Sequence, residues 1–161
     1  MEITKVKKVL VTGGAGFVGS HVVDMLLENQ YKVVIIDDLS SGKKKNINSK
    51  AKNYFTDIKK NDLCKIFALE KPDYVCHLAA QISVSHSVRD PKEDALNNII
   101  GLLNLLEAAR VNKLKGFVFA SSGGTVYGEP DKFPICENTI FSPKSPYGIA
   151  KMTSEFYLRF Y

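Results

Sequence analysis

Short apolar runs alternate with helical patterns along the first three-quarters of the chain. Lys8-Val-Leu-Val-Thr12 is apolar and β-branched up to a cluster of glycines, which predicts a buried strand. From Gly16 the spacing turns helical, with Val18, Val22, Met25 and Leu26 on one face and a stop near Asn29. Val33-Val-Ile-Ile36 reads as a second buried strand. Tyr54-Phe55 opens a short third one, followed by a helix carrying Leu63, Ile66, Phe67 and Leu69. Tyr74-Val-Cys-His-Leu78 is the fourth strand. A long helix over 92–110 then presents Leu96, Ile99, Ile100, Leu103 and Leu106, and Gly116-Phe-Val-Phe-Ala-Ser121 forms the fifth strand. A loop containing glycine and proline leads to a last helix, from about Pro146 to Tyr161.

Strands and helices alternating through short connections predict an α/β fold, a doubly wound parallel sheet with helices on both faces in three layers. Crossovers in such sheets are right-handed. The expected strand order is 3-2-1-4-5, with ligand bound where the order reverses. An α/β unit that ends on a helix leaves a bare sheet edge beside its fifth strand. The chain is therefore expected to be one domain over 1–161, truncated at its C-terminus.

Composition narrows this picture only a little. The chain has 161 residues, 45% apolar and 24% charged, which are ordinary globular values and exclude a disordered or collagen-like chain. Its net charge of +5 is carried mostly by lysine, with Arg89, Arg110 and Arg159 as the arginines. Lys43, Lys44 and Lys45 form the densest basic cluster and read as a solvated loop, so no nucleic-acid partner is expected. The uncharged run Val9 to Val23 is short and contains four glycines, which excludes a spanning helix or a signal peptide. A cytoplasmic protein without a membrane partner is expected. Cys64, Cys76 and Cys136 are widely separated, so neither a disulfide framework nor a metal site is expected. Two of them read as core thiols and one as a loop thiol.

The chemistry begins at the first glycine cluster. Thr12-Gly-Gly-Ala-Gly-Phe-Val-Gly19 joins the first strand to the first helix, with glycines at 13, 16 and 19. Gly13 permits a tight turn, Gly16 lets a pyrophosphate approach the main chain, and Gly19 lets the helix pack on the sheet. The helix N-terminus offers its unpaired N–H groups to phosphate. Asp37 closes the second strand where a dinucleotide fold places its ribose-binding acid. Its carboxylate accepts from ribose hydroxyls and repels a 2′-phosphate, which favours NAD over NADP. Tyr147 and Lys151, four residues apart on one helix, share a face. Tyrosine alone is a poor base at neutral pH, with a pKa near ~10. A neighbouring ammonium and a positive nicotinamide ring are expected to lower that value, as a base for an oxidised hydroxyl requires.

Several ordered motifs together resemble the N-terminal part of the extended short-chain dehydrogenase/reductase (NAD-dependent epimerase/dehydratase) family, nearest its UDP-glucose 4-epimerase group. These are the glycine loop, Asp37-Asp38-Leu39-Ser40-Ser41-Gly42, Asp57-Ile58, His77-Leu-Ala-Ala-Gln81, Asn98-Ile-Ile-Gly101, Ser121-Ser122-Gly-Gly-Thr-Val-Tyr-Gly128 and Ser145-Pro-Tyr-Gly-Ile-Ala-Lys151. The resemblance implies a Rossmann-like domain binding NAD. Phe17 and Val18 would contact the pyrophosphate through their backbone, and Asp37 with its loop would bind the adenosine ribose. Asp57 and Ile58 would flank the adenine, although Asp57 also reads as an N-cap for the next helix. Leu78, Ala79, Ala80 and Gln81 would line the cofactor groove, and Asn98 would turn inward toward it. Lys151 would also hold the nicotinamide ribose. His77 and His86 read as a satisfied strand histidine and a loop histidine.

One departure stands out. Related epimerases place a catalytic Ser or Thr four residues before the tyrosine of the V-Y-G motif, where this chain has Gly123. Ser122 is the first candidate for the hydroxyl that orients the sugar oxygen, and Thr125 the second. The reaction implied is a nucleotide-sugar 4-epimerisation. Tyr147 takes the proton of the sugar 4-hydroxyl, NAD⁺ takes the C4 hydride, and hydride returns to the other face of the 4-keto sugar. Dehydratases of the family carry an Asp-Glu pair where Gly124 and Thr125 stand here, which disfavours that activity and, at Thr125, the sugar-acid decarboxylases. The alternatives are a related nucleotide-sugar enzyme or an NAD-binding module without activity. Family members hold the UDP-sugar with a C-terminal lobe, so these 161 residues alone are expected to be weakly active at best. The helices at 92–110 and 147–161 resemble a pair that forms a homodimer bundle, in which Leu102, Leu105 and Phe156 serve either the interface or the core.

Overall fold

The structure, a computed structural model, describes residues 6–60 and 62–161. The chain divides into two compact units, Met1–Ala79 with Glu107–Ala120, and Ala80–Leu106 with Ser121–Tyr161.

The first unit holds a five-stranded sheet. Its strands are β1 (Lys8–Thr12), β2 (Lys32–Ile36), β3 (Lys52–Tyr54), β4 (Tyr74–His77) and β5 (Gly116–Phe119). All pair in parallel, in the order β3-β2-β1-β4-β5. Fold class and strand order are therefore as expected, and β1 is the strand at which the order reverses. The central strands are apolar throughout because both faces are covered: Leu10, Val11, Ile35 and Ile36 are fully buried. β5 is an edge strand and leaves Val118 exposed.

The helices of this unit are α1 (Phe17–Glu28) and α2 (Leu63–Glu70). The face of α1 differs from the sequence reading. Val18 and Met25 are exposed, and the buried residues are Gly19 and Val23, one turn apart. Val23 joins a core of Val9, Val11, Val33, Ile35 and Ala51, with Leu26 and Leu27 packed against it. On α2, Leu63, Ile66 and Phe67 are buried, whereas Leu69 is exposed. Glu70 ends that helix as a buried anchor. It accepts from Tyr54 Oη (2.5 Å), pairs with Lys8 Nζ (3.0 Å) and pairs also with Lys52.

The second unit is helical. α3 (Val84–Arg89) leads into α4 (Pro91–Ala95), which continues as a π-helical stretch, Leu96–Ile100. The chain then resumes α geometry as α5 (Gly101–Val111), whose last turns belong to the first unit. The single long helix expected over 92–110 is thus interrupted by one widened turn. α6 (Gly123–Val126) and α7 (Pro146–Phe160) complete the unit. Leu102 and Leu105 are fully buried core residues, while Phe156 is half exposed. Among the described residues, no helix is long and apolar enough to cross a membrane.

The cysteines and one histidine require correction. Cys64 and Cys136 are exposed and Cys76 is half-buried, all as free thiols, so the expected pair of core thiols is not found. His86 lies on α3 rather than in a loop and pairs with Glu93 at 3.1 Å.

Candidate functional site

In the first unit the glycine loop closes on itself. Gly13 has a φ of +72°, a left-handed conformation that L side chains rarely adopt, and its N–H donates to the Ile36 carbonyl (2.9 Å). A Cβ on Gly19 would stand 2.0 Å from the Gly13 carbonyl oxygen, so this position admits no side chain. Gly16 occupies the N-cap of α1 without a capping side chain, and the first turn carries no acidic residue. The N–H groups at that end are thus left to an anion. Phe17 and Val18 are exposed beside them.

Asp37 is buried at the end of β2. Its Oδ2 accepts from the N–H of Ala15 (2.9 Å) and its Oδ1 from that of Leu39 (2.8 Å). The carboxylate therefore ties the glycine loop to the loop after β2, and each oxygen keeps a lone pair for a ribose hydroxyl. Asp38 accepts from both the N–H and the hydroxyl of Ser40. Ser41 is exposed, and Gly42 passes so close to Asp37 that a Cβ there would stand 2.8 Å from Oδ1. Asp57 accepts from the Lys59 N–H (2.8 Å), closing its own turn. It does not cap α2, whose N-cap position is Asp62. Ile58 beside it is buried.

Thr12, which the sequence reading passed over, organises the end of β1. Its hydroxyl oxygen accepts from the N–H groups of Leu78 and Ala79 (both 3.2 Å) and lies 2.6 Å from His77 Nδ1. With both lone pairs engaged, Thr12 must donate to Nδ1, which leaves the His77 proton on Nε2. His77 is thus the satisfied strand histidine that was expected. A lone hydroxyl ending an apolar strand is the signal that marks Thr12.

In the second unit the π-helical turn carries Asn98, buried as expected. Asn98 exchanges two hydrogen bonds with the Gln81 backbone, accepting at Oδ1 (3.0 Å) and donating from Nδ2 (2.9 Å). Its carbonyl accepts from the Ser154 hydroxyl at 3.3 Å. Ala80, next to Gln81, is half-buried.

α7 begins at Ser145, whose side chain accepts from the Gly148 N–H (3.1 Å), with Pro146 preset for the first turn. Gly148 is a second residue that the sequence reading missed. A Cβ there would stand 2.8 Å from the Thr125 carbonyl oxygen, so glycine lets α7 approach α6 closely. One turn along α7, Tyr147 and Lys151 are both buried, with the Lys151 Nζ over the phenol ring, 5.7 Å from its centroid. The Ser122 hydroxyl acts on the Tyr147 phenol and lowers its pKa. Thr125 instead donates to the Ser122 carbonyl (3.3 Å). Of the two candidate hydroxyls, Ser122 is the one brought to the tyrosine. A Cβ on Gly123 would meet nothing within 4 Å, so no packing demand explains the glycine there.

The acidity of this pair differs from expectation. Burial raises the Tyr147 pKa above its ordinary value of 10. The Ser122 hydroxyl lowers it by less, and the negative charge of Asp94 adds to the rise. Burial pushes the Lys151 ammonium down to about 8, against the pull of Asp94. At Lys151 desolvation outweighs the charge of Asp94, and at Tyr147 it outweighs the effect of Ser122.

A family model described as GDP-mannose 4,6 dehydratase matches residues 10–161. The chain is 45% identical over 159 residues to a UDP-glucose 4-epimerase of Mycolicibacterium smegmatis, covering 96% of this chain and 51% of that protein. Among solved structures, the UDP-glucose 4-epimerase of Thermotoga maritima with UDP-glucose superposes with a TM-score of 0.93 at 54% identity, over 95% of this chain and 50% of that one. The UDP-glucose 4-epimerase of Thermus thermophilus in complex with NAD gives a TM-score of 0.93 at 42% identity, over 96% and 50%. The chain spans about half the length of the relatives it matches.

Proposed function

This chain belongs to the family described as GDP-mannose 4,6 dehydratase, and we propose that the whole protein is an NAD-dependent nucleotide-sugar 4-epimerase acting on UDP-glucose and UDP-galactose. The observation that carries this reading is the buried Tyr147 phenol with the Lys151 ammonium over its ring. The names and ligands of the similar epimerases support it. Dehydration would need an acid and a base beside the reacting carbon. Gly124 has no side chain, and the Thr125 hydroxyl is committed to a backbone carbonyl.

The residues of the first unit fit NAD. Gly13, Gly16 and Gly19 leave a side-chain-free cradle, where the backbone of Phe17 and Val18 takes the pyrophosphate. Asp37, with the loop Asp38, Leu39, Ser40, Ser41 and Gly42, takes the adenosine ribose. Asp57 and Ile58 flank the adenine, and Leu78 and Ala79 line the groove. In the second unit the residues that the family resemblance assigns to the cofactor are Ala80, Gln81 and Asn98, with Lys151 for the nicotinamide ribose. Bound NAD supplies the acceptor for the C4 hydrogen, and its positive ring favours the phenolate. Tyr147 accepts the proton of the sugar 4-hydroxyl, while Ser122 orients that oxygen. Because burial and the charge of Asp94 both favour the protonated phenol, proton transfer depends on positive charge beside it, for which the protein offers the Lys151 ammonium over the ring. The reading includes a cytoplasmic homodimer, for which the exposed Ile149, Phe156 and Phe160 of α7 provide apolar surface.

Interconversion of UDP-galactose and UDP-glucose by the whole protein with NAD tests the proposal. Tyr147→Phe is expected to lower kcat about a hundred- to ten-thousandfold with NAD still bound. NAD binding without any interconversion would leave a binding module and overturn the enzymatic reading.

A further inference from the structure

Ala15, in the middle of the glycine loop, is fully buried, and a buried main-chain carbonyl needs donors. Its carbonyl accepts from the Lys43 N–H (3.0 Å) and from Asn46 Nδ2 (3.0 Å), the latter thirty-one residues along the chain. Together these donors, both from the loop after β2, occupy the two lone pairs of that oxygen. The Ala15 N–H donates to Asp37 Oδ2 (2.9 Å), and the Gly16 N–H donates to the Gly13 carbonyl (3.1 Å). The peptide joining Ala15 to Gly16 is thus held at both its carbonyl and its N–H.

Glycine at 16 puts no side-chain limit on the rotation of that peptide, so its partners set its orientation. Gly16 is also the N-cap of α1, and its carbonyl accepts the Ser20 N–H (3.0 Å), a bond of the first helical turn. Rotation of the Ala15–Gly16 peptide would therefore displace the start of α1, with the N–H groups that an anion is to meet. Asn46 itself ends a single 3₁₀ turn, Lys44–Asn46. Main-chain bonds close that turn, from the Asn46 N–H to the Lys43 carbonyl (2.9 Å) and from the Ile47 N–H to the Lys44 carbonyl (3.1 Å). The turn does not need the Asn46 side chain, whose amide reaches the glycine loop instead.

We infer that Asn46 is a positioning residue for the dinucleotide: its side-chain amide, donating to the Ala15 carbonyl, fixes the Ala15–Gly16 peptide and presets the N–H groups of α1 for the pyrophosphate. The inference deepens the NAD reading of the glycine loop and rests on it. Asp37 holds the Ala15 N–H and Asn46 the Ala15 carbonyl, so one residue of the loop is tied to two points of the segment after β2. A loop ordered on folding need not be ordered again on binding, which favours affinity.

The test combines two measurements on the whole protein: amide hydrogen exchange at Gly16 without cofactor, read by NMR, and the NAD dissociation constant from calorimetry. Asn46→Leu keeps the branched shape and removes the donor. It is expected to speed Gly16 exchange about tenfold and to weaken NAD binding about tenfold, the scale of one hydrogen bond, while the amides of β1 and β2 exchange as in wild type. Asn46→Gln, which carries the same amide, is expected to recover part of both. Asn48→Ala is the control. Asn48 ties the same loop to Asp24 of α1 (2.7 Å), away from Ala15, and its loss is expected to leave both readouts at their wild-type values. Should Asn46→Leu fail to fold, Asn46→Ala replaces it. Unchanged Gly16 exchange or unchanged NAD affinity in the folded variant overturns the inference, as do equal effects from Asn48→Ala. Wild-type protein that takes up no NAD would instead mark the failure of the cofactor reading.

Discussion

Glu70 and Tyr147 answer burial in opposite ways. Burial by itself would raise the Glu70 carboxyl, but hydrogen bonds from Lys52, Tyr54 and Lys8 reverse that and hold it at about 2, below its ordinary 4.5. A carboxylate depressed in the folded state stabilises the protein above its unfolded pKa, and that contribution is lost as pH falls through the folded one. Glu70→Gln is therefore expected to lower Tm most above about pH 4.5, with the gap to wild type closing toward pH 2 in thermal melts followed by circular dichroism. At Tyr147 the single hydroxyl of Ser122 offsets less than burial imposes, so desolvation prevails. The contrast explains which site residues were legible in the sequence. Gly13, Gly19, Asp37, Tyr147 and Lys151 stand at spacings fixed by a loop or a helix turn. Thr12 and Glu70 act on residues more than sixty positions away, so no local pattern marks them.

At the scale of elements, periodicity located the long helices but not always their faces. Val18, Val22, Met25 and Leu26 suggest a stripe on α1, yet the approach of Gly19 to the Gly13 carbonyl turns the Gly19–Val23 face toward the sheet. α3 and α6 have six and four residues, too few turns to show a period. The π-helical turn at Leu96–Ile100 is likewise invisible, since one widened turn looks like a small phase error in an apolar pattern. It leaves Leu96 and Ile100 about two-fifths exposed, at 41% and 42%, while Leu102 and Leu105 are fully buried. Leu105→Ala is expected to cost about 2–5 kcal/mol. Leu96→Ala should stay within about 0.5 kcal/mol. Urea unfolding of the two variants measures both, and equal losses would contradict the burial assigned to this run.

For the whole molecule, fold class followed from alternation, because a parallel sheet requires a crossover between every pair of strands, and the strand order was that expected of a dinucleotide-binding sheet. The division into two compact units did not, since it depends on which contacts close around Ala80–Leu106 and Ser121–Tyr161. The glycine loop and Asp37 belong to the first unit, and Ser122, Tyr147 and Lys151 to the second. Substrate choice concerns the whole protein, of whose relatives this chain spans about half. The central claim is transient oxidation at the sugar C4 with return of the same hydrogen to the opposite face. The most direct test supplies UDP-[4-²H]galactose to the whole protein with NAD and follows the products by NMR. The account predicts UDP-glucose that retains deuterium at C4. Loss of the deuterium to solvent, or a 6-deoxy-4-keto product, would contradict it.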